Sequence, residues 1–226
     1  MRRWLPLGML GIGAAAAIGL SLWIALPTKS DLAVPAPLEA WSGDPPSEDY
    51  GRDFAALADA FRPQRYRSFC GPATIETVLR AYGDVGADQG KIFPSLSSKL
   101  DTFYSGMSLA ELAELAQSVG LRAEIAYADA FNLDSFRERL QANLARKGDF
   151  VIVNYDRRVL NQSGAGHISS VGAYDQSRDA FLVLDEAAYR YPFTWVPASL
   201  LYQAVHTRAG EHFRGVLFIS DYRPLH

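Results

Sequence analysis

The order of hydrophobic and polar positions along this chain changes from a helical period to a strand period about halfway. Helices are predicted where apolar residues recur every three or four positions, in most cases with a glycine or proline closing the run. These segments span residues 54–61, 70–82, 109–119, 134–147 and 197–205. Ser108 and Glu111 form a capping-box pattern that marks the start of the third helix.

Short apolar or alternating runs predict β-strands at residues 121–128, 150–155, 167–174, 180–184 and 216–220. The third and fourth strands flank a polar turn at residues 175–179, so they are predicted to pair as a hairpin. Residues 84–105 show no clear period. Helices followed by antiparallel strands are typical of an α+β fold, in which a helical N-terminal part packs on a sheet.

The first 27 residues have the composition of a signal peptide or a membrane anchor. Arg2 and Arg3 precede an uncharged apolar run over residues 4–26, which as a helix would be about 35 Å long and would cross a bilayer. Because the positive charges come first, the rest of the chain is expected to be extracytoplasmic (periplasmic) and anchored to the inner membrane. Residues 28–50 are proline-rich and are expected to be a linker to a folded domain over residues 51–226.

Charge narrows the possible partners. The chain has 226 residues and a formal net charge of −3, and the first 27 residues hold two basic and no acidic side chains, so the remainder is more acidic. Such a surface does not favour nucleic acid. No paired histidines or cysteines stand at metal-ligand spacing, so neither a metal site nor a cofactor is expected. The sequence carries no signal for an oligomeric state.

Cys70 is the single cysteine of the chain. It opens the predicted helix 70–82, with Pro72 in the first turn, so its thiol would face N–H groups that the helix leaves unpaired. Such groups stabilise a thiolate, and the position therefore indicates a nucleophile with a lowered pKa. The alternative for a lone cysteine is a small buried apolar residue.

A thiol nucleophile needs a base and a group that orients this base. His167 and Asp185 lie at the same end of the predicted hairpin, where neighbouring strands are about 4.8 Å apart, and their side chains can meet if they share a face. Gln64, six residues before Cys70, is a candidate donor to an oxyanion together with the N–H of Cys70. The alternatives are a solvated histidine, a turn aspartate and a solvated loop glutamine.

These residues and their spacing resemble the phytochelatin synthase family of papain-like cysteine enzymes. The similarity covers about residues 52–206, beginning with Gln64-x5-Cys70-Gly71. The other matching segments are Gly106-Met107-Ser108-Leu109, Gly166-His167, Leu184-Asp185 and Tyr191-Pro192-x-x-Trp195-Val196-Pro197. The resemblance implies a papain-like catalytic domain in which Cys70, His167, Asp185 and Gln64 are catalytic.

The resemblance also implies the substrate. Family members cleave the Cys-Gly bond of glutathione through a γ-glutamylcysteinyl thioester and pass the acyl group to water or to a second glutathione, which serves metal detoxification. A cysteine-rich C-terminal region is absent from this sequence, so the short bacterial type that mainly hydrolyses glutathione, or a similar γ-glutamyl peptide, is the expected model. Glutathione could arrive as a metal thiolate. Ala188 stands where the family pattern has an arginine, so Arg190 is a candidate replacement, and Gly166 and Tyr191 are further candidates for substrate binding.

Two other functions are open at this point. Peptidases that remove double-glycine leaders also carry a glutamine shortly before a Cys-Gly-x-Ala helix start, although they usually have proline after the orienting aspartate, where this chain has Glu186. The other is a membrane-tethered binding module that has lost activity on the same scaffold.

Overall fold

An antiparallel sheet runs through the middle of the computed structural model, which describes residues 38–43 and 45–224. The helices are α1 (Phe54–Ala60), α2 (Cys70–Ala81), α3 (Leu96–Ser105), α4 (Leu109–Ser118), α5 (Leu133–Leu144) and α6 (Ala198–Val205). The strands are β1 (Glu39–Ala40), β2 (Leu121–Tyr127), β3 (Phe150–Asp156), β4 (Gly166–Asp175), β5 (Ala180–Leu184), β6 (Thr194–Pro197), β7 (Arg208–Ala209), β8 (His212–Phe213) and β9 (Gly215–Tyr222). The strand order of the large sheet is β1-β6-β5-β4-β3-β9-β2, and β7 pairs with β8 separately.

Helices cover both faces of this sheet. In β3, Ile152 packs into a core with α1, α2 and α4, whereas Val151 and Val153 pack into a second core with α5 and α6. All seven residues of β3 are buried. A strand between two helix layers has no side facing solvent, which explains its apolar run from Phe150 to Val153. The predicted mixture of helices with an antiparallel sheet is confirmed, and the second helix layer is an addition.

Helix α2 lies in the core and begins at Cys70, as the sequence predicts. Ten of its twelve residues, from Cys70 to Leu79, are buried. Gly71 permits the close packing of α2 on α4, because a Cβ at this position would lie 3.1 Å from the side chain of Leu112 and 3.1 Å from Met107 Sδ. The nucleophile candidate is therefore placed by a helix that is packed on almost all sides.

The structure adds one helix to those predicted and moves the limits of two others. The segment without a clear period contains α3, whose start is capped by Ser95 accepting from the N–H of Ser98 at 3.1 Å. Helix α5 ends at Leu144, three residues before the expected end at Lys147. Pro197 ends β6 in an extended conformation instead of starting α6. Helix ends fray and capping residues belong half to the helix, so such shifts fall outside what periodicity can resolve.

Residues 38–43 and 45–50 pack against the domain, although the sequence predicted a linker as far as residue 50. β1 pairs with β6, with Glu39 opposite Trp195, and the ring of Trp41 lies 5.4 Å from that of Phe54. The linker prediction therefore does not hold for these residues, since an extended proline-rich backbone is also suited to a short edge strand. The expected signal or anchor over residues 1–27, and residues 28–37, lie outside the described part.

In the described part, none of the helices combines the length and the apolar character that crossing a membrane requires.

Strands β4 and β5 form the predicted hairpin, which contains one β-bulge. On the turn side Ala173 pairs with Leu182, and past Gly172 the register shifts so that Val171 pairs with Val183. A Cβ at Gly172 would lie 3.0 Å from Cδ2 of Phe54 in α1, so the glycine also allows α1 to pack closely on the hairpin. The glycine at the bulge is therefore needed for the packing of α1 against the sheet.

Replacing Trp41 by alanine is expected to lower the free energy of unfolding by about 2 kcal/mol, because its ring packs on Phe54 and Phe193. Denaturant unfolding measures this value. Val85→Ala is the control, since Val85 is 81% exposed and its truncation should change the free energy by less than about 0.5 kcal/mol. Equal, small effects of the two variants would contradict the packing of the N-terminal segment.

Candidate active site

Cys70 lies where the start of α2 meets β4. Its side chain is 8% exposed and forms no disulfide. Burial raises the pKa of the Cys70 thiol to about 11, and the backbone N–H groups of Ile168 and Gly71, which point at the sulfur, offset only part of this rise. The expectation that the helix start lowers this pKa does not hold for the substrate-free site, because desolvation of a thiolate outweighs the helix terminus. The resting group is a thiol.

His167 and Asp185 form a hydrogen-bonded pair at the open end of the β4–β5 hairpin, as the sequence predicts. Nε2 of His167 lies 3.0 Å from Oδ1 of Asp185, and both side chains are buried. An ionised carboxylate only accepts hydrogen bonds, so Nε2 must carry the proton and Nδ1 keeps a lone pair. This is the tautomer that can take a proton from a thiol.

Arg157, which the sequence analysis did not single out, stabilises the charge on Asp185. Its Nη2 lies 2.6 Å from Oδ1 of Asp185, and both side chains are almost completely buried. The N–H of Ala187, at 2.8 Å, and the hydroxyl of Tyr155, at 3.3 Å, donate to the same carboxylate. Burial alone would raise the pKa of Asp185, but His167 and Arg157 hold it well below its usual range.

Burial favours the neutral forms of both the Cys70 thiol and the His167 imidazole. Burial lowers the pKa of His167 to about 4; Arg157 adds to this effect, and Asp185 opposes it only in part. His167 and Cys70 line one cleft of about 600 Å³. An imidazole with a free Nδ1 therefore shares a cleft with the thiol.

Gln64 lies near the site, but both hydrogens of its amide are in use. Nε2 donates to the carbonyl groups of Tyr66 at 3.0 Å and Arg67 at 3.1 Å, in the loop that leads to Cys70. Its backbone N–H donates to the carbonyl of Glu186 at 2.9 Å. In this geometry Gln64 shapes the loop, and its oxyanion role stays a prediction. The N–H of Cys70, in the first turn of α2, is one that the helix itself leaves unpaired.

Arg214 is a second cation that the sequence analysis missed, and it lines the same cleft as Cys70. It is 9% exposed. Nη1 donates to Oδ1 of Asn154 at 2.8 Å, and Nε donates to Oγ1 of Thr207 at 3.1 Å; both of these partners are neutral. Gly166, predicted to bind substrate, makes room for this guanidinium, because a Cβ at Gly166 would lie 2.5 Å from Nη1.

The other two predicted substrate-binding residues have different surroundings. Arg190 lines a smaller cavity of about 160 Å³ beside His167, and its Nη1 donates to the carbonyl of Ser163 at 3.2 Å. Tyr191 is 3% exposed, its hydroxyl accepts from the N–H of Ser163 at 2.7 Å, and its ring lies 4.8 Å from the guanidinium of Arg157. Tyr191 lines neither cavity and packs on Arg157, and its role in substrate binding stays a prediction.

Cys70 and His167 share a cleft, and buried Asp185 is hydrogen-bonded to His167. Cysteine acyl-transfer sites use this set of groups. Within residues 38–43 and 45–224, no group of three or more His, Cys, Asp or Glu side chains is placed to hold a metal ion. The phytochelatin synthase family model matches residues 45–215, about three quarters of the chain. The chain therefore belongs to the phytochelatin synthase family.

Curated relatives agree with this family. Glutathione gamma-glutamylcysteinyltransferase 3 of Lotus japonicus is 32% identical over 181 residues, which cover 74% of this chain and 37% of the relative. Glutathione gamma-glutamylcysteinyltransferase 2 of Arabidopsis thaliana is 29% identical over 74% of this chain and 39% of its own length. The Schizosaccharomyces pombe enzyme of the same name is 26% identical over 77% of this chain and 44% of its own length. The chain thus spans less than half the length of these relatives.

Alkylation of Cys70 by iodoacetamide is expected to be slower than that of a model thiol at pH 7 and to increase steadily above pH 8. The reason is that a pKa of about 11 leaves less thiolate than the value of about 8.5 for a free cysteine. Mass spectrometry of timed samples gives the rate, and the urea-unfolded protein is the control in which the usual pKa returns. Faster reaction than the model thiol at pH 6 would contradict the raised pKa.

Proposed function

We propose that this protein transfers the γ-glutamylcysteinyl group of glutathione through a thioester on Cys70. The observation that carries the proposal is the hydrogen-bonded pair of His167 and Asp185 on the cleft that holds the single cysteine. The names of the relatives support glutathione as the donor. Membership of the family favours this reaction over cleavage of double-glycine leaders.

The first half of the reaction forms the thioester. The sulfur of Cys70 attacks the carbonyl carbon of the Cys-Gly bond, and the thiol proton moves to Nδ1 of His167. The oxyanion that develops accepts from the N–H of Cys70 and, after its amide has released a loop carbonyl, from Gln64. His167 then gives its proton to the glycine nitrogen, the carbon–nitrogen bond breaks, and glycine leaves.

The second half removes the acyl group. An acceptor loses a proton to His167 and attacks the thioester, and the proton returns to the sulfur of Cys70 as γ-glutamylcysteine or its transfer product leaves. Water is the proposed main acceptor. The remaining cavity beside His167, of about 160 Å³, is smaller than the 300–1,000 Å³ usual for small-molecule sites, which favours water over a second peptide.

Arg214 is proposed to bind a substrate carboxylate, the role that the sequence analysis offered to Arg190. The buried guanidinium of Arg214 forms its hydrogen bonds with neutral side chains, and the nearby carboxylate of Asp156 is paired with Arg158. Glutathione brings two carboxylates that could pair with it. Arg214 also shares the cleft with Cys70, whereas Arg190 does not. Arg214 would thus supply the cation that the family pattern places at position 188, where this chain has Ala188.

The papain-like fold and the position outside the membrane are further parts of the proposal. A nucleophile at the start of a buried helix, facing a base and an acid on a sheet, supports the papain-like arrangement. The apolar run at residues 4–26 and the preceding arginines support an extracytoplasmic domain anchored at the inner membrane. Glutathione that arrives as a metal thiolate would be substrate, and the proposal requires no cofactor.

Incubation with glutathione is expected to release glycine and to leave a thioester on Cys70 with the mass of a γ-glutamylcysteinyl group. Acid quenching and intact mass spectrometry detect this adduct, and the ratio of γ-glutamylcysteine to longer γ-glutamyl peptides identifies the acceptor. Cys70→Ala, which has no nucleophile, is the control. Cleavage of a glycine-glycine peptide without glycine release from glutathione would overturn the proposal in favour of the peptidase.

Arg214→Met is expected to raise the KM for glutathione about 10-fold or more with a smaller change in kcat, because a desolvated ion pair to a substrate carboxylate is lost. Amidation of the substrate carboxylates, one at a time, should weaken the wild-type reaction and have little effect on this variant at the carboxylate that Arg214 binds. Arg223→Met is the matched control, since the Arg223 side chain is 86% exposed and pairs with Asp221. Equal losses in both variants, or no dependence on amidation, would argue against the assignment.

A further inference from the structure

The loop between α1 and α2 carries Gln64, and one side chain binds the backbone on both sides of this residue. That side chain is the buried amide of Gln89, in the segment between α2 and α3. Its Nε2 donates to the carbonyl of Pro63 at 3.2 Å, and its Oε1 accepts from the N–H of Arg65 at 2.9 Å. A single amide group therefore engages the backbone immediately before and immediately after Gln64.

Glu76 of α2 fixes the orientation of the Gln89 amide. Its Oε2 accepts from Nε2 and from the backbone N–H of Gln89, both at 3.0 Å. Glu76 is itself buried, and its Oε1 accepts from Nε of Arg80 at 3.0 Å. If the Gln89 amide were flipped, its oxygen would face the carboxylate of Glu76. The observed orientation is therefore the one in which the amide can donate to Glu76 and accept from Arg65.

Two further hydrogen bonds attach the backbone of this loop to its surroundings. The N–H of Gln64 donates to the carbonyl of Glu186 at 2.9 Å. The N–H of Arg62 donates to Oγ1 of Thr77, a buried residue of α2, at 3.0 Å. The backbone of residues 62–65 is thus bound both to the helix that begins at the nucleophile and to the segment that follows β5.

The side chain of Gln64 has weaker attachments than its backbone. Its Nε2 donates to the carbonyls of Tyr66 and Arg67, in the same loop, and its buried Oε1 has no hydrogen-bond partner in the part of the chain that the structure describes. The proposed reaction requires this amide to leave one of these carbonyls and to turn to the oxyanion. Because the backbone is fixed on both sides of Gln64, this movement is limited to side-chain torsions, and the amide reaches the same place at each turnover.

We propose that Gln89 is a positioning residue, which is oriented by Glu76 and binds the backbone on both sides of Gln64, and thereby determines where the Gln64 amide can reach beside Cys70. The consequence for turnover rests on the proposed function. The attachment of the loop does not, since it can be measured without glutathione.

The first experiment measures the attachment of the loop by hydrogen exchange and mass spectrometry, without substrate. In Gln89→Ala, exchange in a peptide that covers residues 62–69 should be about 10-fold faster than in the wild type, because the N–H of Arg65 loses its acceptor and the loop loses its anchor. Exchange in a peptide that covers β3, in the middle of the sheet, should be unchanged. Unchanged exchange in the loop, or an equal increase in both peptides, would overturn the proposal.

The second experiment is a double-mutant cycle of Gln64→Ala and Gln89→Ala, measured by kcat for glycine release. Gln89→Ala alone should lower kcat about 10-fold with KM within about twofold, because the Gln64 amide acts on the oxyanion and not on the bound substrate. In the Gln64→Ala background the same replacement should lower kcat by less than about twofold, since the amide that it positions is already absent. Losses that multiply, or a Gln64→Ala variant with full kcat, would overturn the proposal.

Gln89→Glu tests the donor side of the same side chain. The two side chains have nearly the same shape, but a carboxylate cannot donate to the carbonyl of Pro63 and would repel the carboxylate of Glu76. We expect this variant to lose about as much kcat as Gln89→Ala, about 10-fold. A kcat equal to that of the wild type would show that the two donated hydrogen bonds do not matter, and it would overturn the proposal.

Asn143→Ala is the matched control. Asn143 is another buried side-chain amide, but it lies on α5, which packs on the other face of the sheet from α2. Its loss should lower the unfolding midpoint with kcat unchanged, which separates stability from positioning. A loss of kcat as large as that of Gln89→Ala would overturn the proposal. If the wild type released no glycine from glutathione, the proposed function would fail, while hydrogen exchange would still decide whether Gln89 holds the loop.

Discussion

The buried ion pair between Asp185 and Arg157 is the interaction on which the site depends. It keeps Asp185 ionised at the end of β5, and this carboxylate fixes the proton of His167 on Nε2. Buried ion pairs add little net stability, because the desolvation of both ions offsets their attraction. What the pair supplies is a defined pattern of protonation. The carboxylate of Asp185 is ionised, Nε2 of His167 carries the proton, and Nδ1 keeps a lone pair.

The raised pKa of the Cys70 thiol is a second constraint, because it limits the reactivity of the sulfur. Oxidants and alkylating agents attack the thiolate, so a raised pKa lowers the reactivity of Cys70 toward them. A helix start alone would have made Cys70 reactive at all times. In the proposed reaction, Cys70 becomes reactive when His167 accepts its proton.

The sequence predicts those parts of the structure that follow from local pattern. Cys70 at a helix start with Pro72 in the first turn, and His167 and Asp185 on one hairpin, are found as expected. Arg157 was out of reach, because Arg158 beside it has the same charge and only the fold turns one inward and leaves the other 70% exposed. Arg214 and the edge strand β1 depend on long-range contacts that no local signal carries.

The bulge at Gly172 determines the direction in which Asp185 faces. If the register that pairs Ala173 with Leu182 continued without the bulge, Asp185 would lie opposite Ser170. Its side chain would then be on the side of the sheet away from His167. With the bulge, the register that pairs Ser170 with Leu184 brings Asp185 level with Ser169, two positions from His167 and on the same side. A register shift of a single residue in β4 therefore decides whether the carboxylate of Asp185 and the imidazole of His167 can meet.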